Sequence, residues 1–179
     1  MEARFRLDLT EREYFAIISD KTASLIGGCC RAGAHLGGCS AETVERFGIF
    51  WTKFGIAFQI IDDCLDLIGD QARLGKSILA DLDKGALSLP IIYLTRTLSA
   101  HARKTLFAPL ARQARDRAIN PVLLRRIAVA AREAGAIAKA KARATTLIQS
   151  AQEAIRDFPL NGLQNAYGHL ARYAVLRQS

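Results

Sequence analysis

The chain has 179 residues, half of them apolar and 23% charged, and its 25 Lys plus Arg against 17 Asp plus Glu give a formal net charge of +8. This is ordinary composition for a soluble globular protein, and the length suits one domain with a real core, residues 1–179. No run approaches the ~20 apolar residues that a transmembrane helix needs. The N-terminus, MEARFRLDLTERE, lacks an apolar signal segment, so a cytoplasmic location is expected.

Apolar residues recur at helical spacing nearly throughout, with no convincing strand alternation. Thr10 and Glu13 have capping-box spacing and predict a helix from Glu11 to about Leu36, ended by Gly37-Gly38. Ser40 is a good N-cap, with Glu42 in the first turn, for a helix running through Asp66 and stopping at Gly69. Residues 69–88, with Gly69, Gly75 and Gly85 among charged side chains, read as a long loop with room for a short helical turn. Pro90 opens another helix, and Asn120-Pro121 opens a long Ala/Arg/Lys helix to about Arg156, with Gly135 as a point of kinking or thinning. Phe158 to Gly162 reads as a turn before a final helix to Arg177. The whole is an all-α bundle.

The basic excess falls mostly after Ala100, without interleaved aromatics or a nucleic-acid-binding motif, so it reads as a solvated helical face. Four cysteines, with no CxxC pair, argue against a zinc site and for reduced thiols.

The stretch from Phe58 to Asp70, FQIIDDCLDLIGD, places three carboxylates in an apolar setting. Burying them costs several kcal/mol each unless they are paired or hold a metal, on the order of ~3–5 kcal/mol for an uncompensated charge. Asp62 and Asp66 are four apart and Asp63 and Asp66 three apart, so on a helix the three converge on one patch. Oxygen donors of this kind suit a hard divalent ion such as Mg2+, which binds through one or two carboxylates, waters and substrate phosphates. Gln59 lies one turn earlier, aimed toward the same patch. Lys76, in the following loop, and Lys21, within Asp20-Lys21-Thr22-Ala23, are cations suited to a diphosphate.

The segment GIAFQIIDDCLDLIGDQARLGKSILADLDKGALSLP, Gly55 to Pro90, resembles the second aspartate-rich region of the trans-isoprenyl (polyprenyl) diphosphate synthases. Tyr14 to Gly38, with Lys21-Thr22-Ala23, resembles that family's lysine-threonine helix, and Phe158 to Arg177 its last turn and helix. The resemblance implies an all-α prenyl-synthase fold and a Mg2+-dependent prenyl transfer. In it an allylic diphosphate ionises, isopentenyl diphosphate attacks and a proton leaves. It implies Asp62, Asp63 and Asp66 as metal ligands, Lys21 and Lys76 on the diphosphate, and Thr22 and Gln59 beside the developing carbocation.

The chain departs from the family pattern in lacking a second DDxxD-like cluster, and Met1 falls near the start of the family's second half. The expectation is a C-terminal half that is inactive alone, working as a homodimer or with a partner chain that supplies the first aspartate-rich motif. Leu79 stands where the family has glycine, Ala86 where it has lysine and Ser88 where it has threonine. Leu79 and Ala86 favour the alternative of a noncatalytic helical subunit or remnant, whereas the intact DDxxD, Gln59, Lys21, Thr22 and Lys76 oppose it. A class I terpene cyclase fits less well, because its second metal motif takes a different form.

Overall fold

The computed structural model describes residues 5–68, 79–115, 119–158, 169–170 and 173, and among them there are helices and no strand. In chain order these are α1 (Glu11–Ile18), a π turn (Ser19–Ala23), α2 (Ser24–Leu36), α3 (Ala41–Ile68), α4 (Ala80–Asp83), α5 (Leu89–Thr97), α6 (Ala100–Arg115), α7 (Pro121–Glu133) and α8 (Ala136–Ala154). The all-α reading is correct. None of these helices is long and apolar enough to cross a membrane.

The start signals work as their chemistry dictates. The Glu13 carboxylate accepts from both the backbone N–H (2.8 Å) and the hydroxyl (2.7 Å) of Thr10, while the Thr10 hydroxyl accepts from Glu13 N–H, closing a capping box at α1. Ser40 Oγ accepts from Thr43 N–H at the head of α3. Asn120 Oδ1 accepts from Val122 N–H, and Pro121 takes the first turn of α7, where no N–H is needed.

Three expectations change. The first helix is interrupted by the π turn, described below. The long helix after Asn120 is two helices, because Gly135 at φ 68° takes the left-handed conformation and ends the first one. Leu98, extended at φ −74°, ψ 143°, separates α5 from α6, a break that Pro90 alone did not signal. The Phe158–Gly162 turn lies mostly outside the described residues, as does the final helix apart from helical backbone at 169–170 and 173.

The chain divides into two compact units. The first contains Met1–Tyr14 and Asp62–Ala140. Its interior includes α5, in which Leu89, Ile91, Ile92 and Leu94 are at most 1% exposed, with Phe107 and Leu110 from α6 and Ile127 from α7 also fully buried. The face of α7 opposite that interior carries Arg125, Arg126 and Arg132, all exposed, so the basic surplus here is a solvated face as its spacing implies.

The second unit contains Phe15–Ile61 and Lys141–Gln178. Phe50, Ala151, Ile155 and Phe158 form a buried cluster on which Phe47 and Trp51 pack. Arg46 of α3 lies 4.4 Å over the Phe158 ring and donates to the Ala154 carbonyl at 2.7 Å, satisfying an acceptor that the end of α8 leaves open. Ala144 and Ala151 on α8 are fully buried. Gly55 of α3 faces the π turn. A Cβ there would stand 2.9 Å from Ala23 Cα, so only glycine permits this approach.

Candidate active site

α3 runs unbroken from Ala41 to Ile68 and carries Gln59, Asp62, Asp63 and Asp66. The boundary between the two units falls within this helix, between Ile61 and Asp62.

In the first unit, Asp62 is partly exposed while Asp63 and Asp66 are 7% and 4% exposed. The expected burial cost is offset by specific donors. The Tyr14 hydroxyl donates to Asp63 Oδ2 at 2.7 Å, with Tyr14 itself 3% exposed. Burial pushes the Tyr14 phenol well above its ordinary range, and the neighbouring charge of Asp63 adds to the shift, so the hydroxyl stays protonated as a donor. Asp66 collects three successive backbone N–H groups. Its carbonyl accepts from Leu79 at 2.9 Å, and its carboxylate from Ala80 at 3.2 Å and Asp81 at 3.3 Å. These are the open donors at the head of α4, whose own N-cap residue, Leu79, has no side chain able to cap. Asp66 does the capping from 14 residues away.

Leu79 holds φ 64°, ψ 16°, a left-handed conformation that suits glycine. Its side chain is 5% exposed, so apolar burial offsets the strain. Ala86 and Lys84 are both exposed. Lys76 lies outside the described residues.

In the second unit, Lys21 and Thr22 sit on the π turn, Lys21 exposed and Thr22 partly buried. A π turn adds one residue to a helix and occurs frequently at functional sites. Here it brings the Thr22 hydroxyl to Gln59 Oε1 at 3.1 Å, with Gln59 8% exposed. The buried positions of this helix, Tyr14, Ile18, Ala23 and Gly27, step by four, five and four. That step of five was the signal for the turn, and reading for period 3.6 alone passes over it. Ile61 is 1% exposed, and Phe58, half-buried, stacks on Phe54 at 6.3 Å between ring centroids.

Among the described residues no buried side-chain N or O lacks a partner, and no three His, Cys, Asp or Glu side chains are grouped so that they could hold a metal ion, so Asp62, Asp63 and Asp66 do not by themselves form the three-carboxylate patch expected from their spacing. The donor set still fits Mg2+, which takes only one or two protein carboxylates and fills its remaining positions with water and phosphate oxygens. Tyr14 and Asp66 escaped the sequence reading in these roles because their partners lie 49 and 14–15 residues away.

The polyprenyl synthetase family model matches residues 1–125. A short chain isoprenyl diphosphate synthase of Methanothermobacter thermautotrophicus is 37% identical over 105 residues, 59% of this chain and 32% of that protein. Heptaprenyl diphosphate synthase component 2 of Geobacillus stearothermophilus is 39% identical over 90 residues, 50% of this chain and 28% of its own. The crystal structure of a polyprenyl synthase from Caulobacter crescentus, complexed with calcium and isoprenyl diphosphate, superposes with a TM-score of 0.90 and 27% identity over 98% of this chain. The chain spans 52% of that protein's length. From the family match over most of its length, together with this likeness of fold, the chain belongs to the polyprenyl synthetase family.

Proposed function

We propose that the chain provides part of a Mg2+-dependent prenyltransferase that condenses an allylic diphosphate with isopentenyl diphosphate. The observation that carries this is the aspartate trio of α3, in which Asp63 and Asp66 are buried yet provided with donors while Asp62 is partly exposed. Asp62, Asp63 and Asp66 would hold Mg2+, and the ion when bound would offset the charge of the departing diphosphate. Lys21 and Lys76 contact that diphosphate in this reading. Thr22 and Gln59 present fixed dipoles to the positive charge left on the allyl group. Phe58 and Ile61 keep water from a cation that water would quench. The allylic C–O bond breaks with release of diphosphate, a carbon–carbon bond forms to isopentenyl diphosphate, and a proton leaves.

The first aspartate-rich motif comes, in this reading, from a further segment or partner chain, with a homodimer as the other arrangement. Likeness to a protein named as component 2 of a synthase supports the partner. This chain alone then gives negligible turnover. A cytoplasmic setting agrees with four free thiols, two of them, Cys29 and Cys39, exposed.

A noncatalytic subunit or remnant is the second reading, favoured by the strained Leu79 and by Ala86 in place of a lysine. Calorimetry with Mg2+ and inorganic pyrophosphate separates the two. Binding that is lost in Asp62→Ala supports the enzyme reading, and binding indifferent to that change sinks it. Robust elongation of an allylic diphosphate with labelled isopentenyl diphosphate by this chain alone would overturn the need for a further segment.

A further inference from the structure

The Tyr14 hydroxyl is a feature of the acidic cluster that packing does not explain. Its ring fills core space that Phe would fill equally well, since the residue is 3% exposed. What Tyr adds is a single O–H, and it is directed 2.7 Å to Asp63 Oδ2. The position of that O–H is well determined. The Thr10–Glu13 capping box fixes where α1 begins, and Tyr14 N–H bonds the Thr10 carbonyl at 2.9 Å in the first turn. Asp63 sits on the rigid α3, 49 residues away in sequence. Two well-set elements are therefore joined by a hydrogen bond with both partners buried.

The neighbouring carboxylates differ. Asp66 is held by backbone N–H groups of Ala80 and Asp81, and Asp62 is partly exposed. The Asp63 carboxylate thus has a side-chain donor from a distant element.

We propose that Tyr14 is a positioning residue, which holds the Asp63 carboxylate in the orientation that engages a divalent cation and its diphosphate. It acts through Asp63 and touches no substrate. The proposal rests on the metal–diphosphate reading above. Outer-shell partners of metal-binding carboxylates contribute about 10–100-fold to metal affinity, and Tyr14→Phe removes such a partner while keeping the ring.

The test measures binding of Mg2+ plus inorganic pyrophosphate to the full chain by calorimetry, with folding followed by circular dichroism. Tyr14→Phe is expected to weaken binding at least about tenfold. In an Asp63→Asn background, the same change is expected to add no further loss. A purely structural role would lower stability without this coupling. Loss of binding in Asp62→Ala with unchanged affinity in Tyr14→Phe overturns the role of Tyr14 and leaves the metal reading standing. No Mg2+-dependent binding by the unsubstituted chain, or binding indifferent to Asp62→Ala, overturns both. A measurement that needs no change at Tyr14 uses fluorotyrosine-labelled protein, its resonances assigned by replacing the other tyrosines in turn. The Tyr14 resonance is expected to move on addition of Mg2+ and pyrophosphate, and a static resonance overturns the proposal.

Discussion

The Thr22 hydroxyl donates to Gln59 Oε1 at 3.1 Å, tying the π turn to α3. Thr22→Val keeps the branched shape and removes the donor. It should destabilise the protein by about 1 kcal/mol, the usual net worth of such a bond. A double-mutant cycle with Gln59→Leu should give a coupling energy of about 0.5–1.5 kcal/mol in urea unfolding. Strict additivity would mean that the two side chains do not interact.

Asp66 is expected to act on stability as well as on any metal. Asp66→Ala strips the head of α4 of its cap and should cost about 1–3 kcal/mol. Amide hydrogen exchange gives a local check, because protection at Ala80 and Asp81 should fall more than at Ile91 or Ile92, deep in α5. Uniform loss of protection would contradict a local capping role.

Leu79 offers a comparison between two truncations. Both Leu79→Ala and Leu79→Gly give up the buried side chain, but only glycine is relaxed at φ 64°. The glycine variant should therefore be the more stable of the two by about 1 kcal/mol. The opposite order in urea unfolding would deny the left-handed conformation.

Glu13 sets an acid limit on the start of α1. Its carboxylate is lowered from 4.5 to about 2, first by the Thr10 backbone N–H, then by the Thr10 hydroxyl and by Arg6. A depressed folded-state value means that unfolding takes up protons. This contribution to stability is therefore complete above about pH 4.5 and lost as pH falls through about 2. Glu13→Gln should flatten that part of the stability profile, seen as a smaller change in thermal midpoint between pH 5 and pH 2 (endpoints roughly bracketing the two values). An identical slope in both proteins would rule the contribution out.

Local chemistry was legible, and distant pairing was not. Thr10 and Glu13, Ser40, Pro90 and Asn120-Pro121 mark their helices because cap donors and acceptors lie within three residues of one another. The aspartates of α3 were visible as carboxylates in an apolar run that needed a reason. The reason is shared among groups that spacing cannot reveal: the Tyr14 hydroxyl, and the N–H groups of Ala80 and Asp81. Leu79 was visible as a substitution in a family pattern, but its left-handed backbone was not, because a buried leucine gives no local sign of φ. Gly135 was marked as a weak point, and its left-handed conformation made it a full break.

The five-residue step from Ile18 to Ala23 has a consequence for how this helix tolerates change. Deleting Asp20 would leave a chain whose apolar side still recurs every four residues, so a plain α-helix could form and bury the same stripe. The deletion would keep the two sides in register but remove the extra residue of the π turn, and with it the insertion that presents Thr22 to Gln59. Shortening by a single residue would thus spare the scaffold and erase the contact. Here the length of the chain between two buried positions, rather than the identity of any residue there, is what selection for the site would have to preserve.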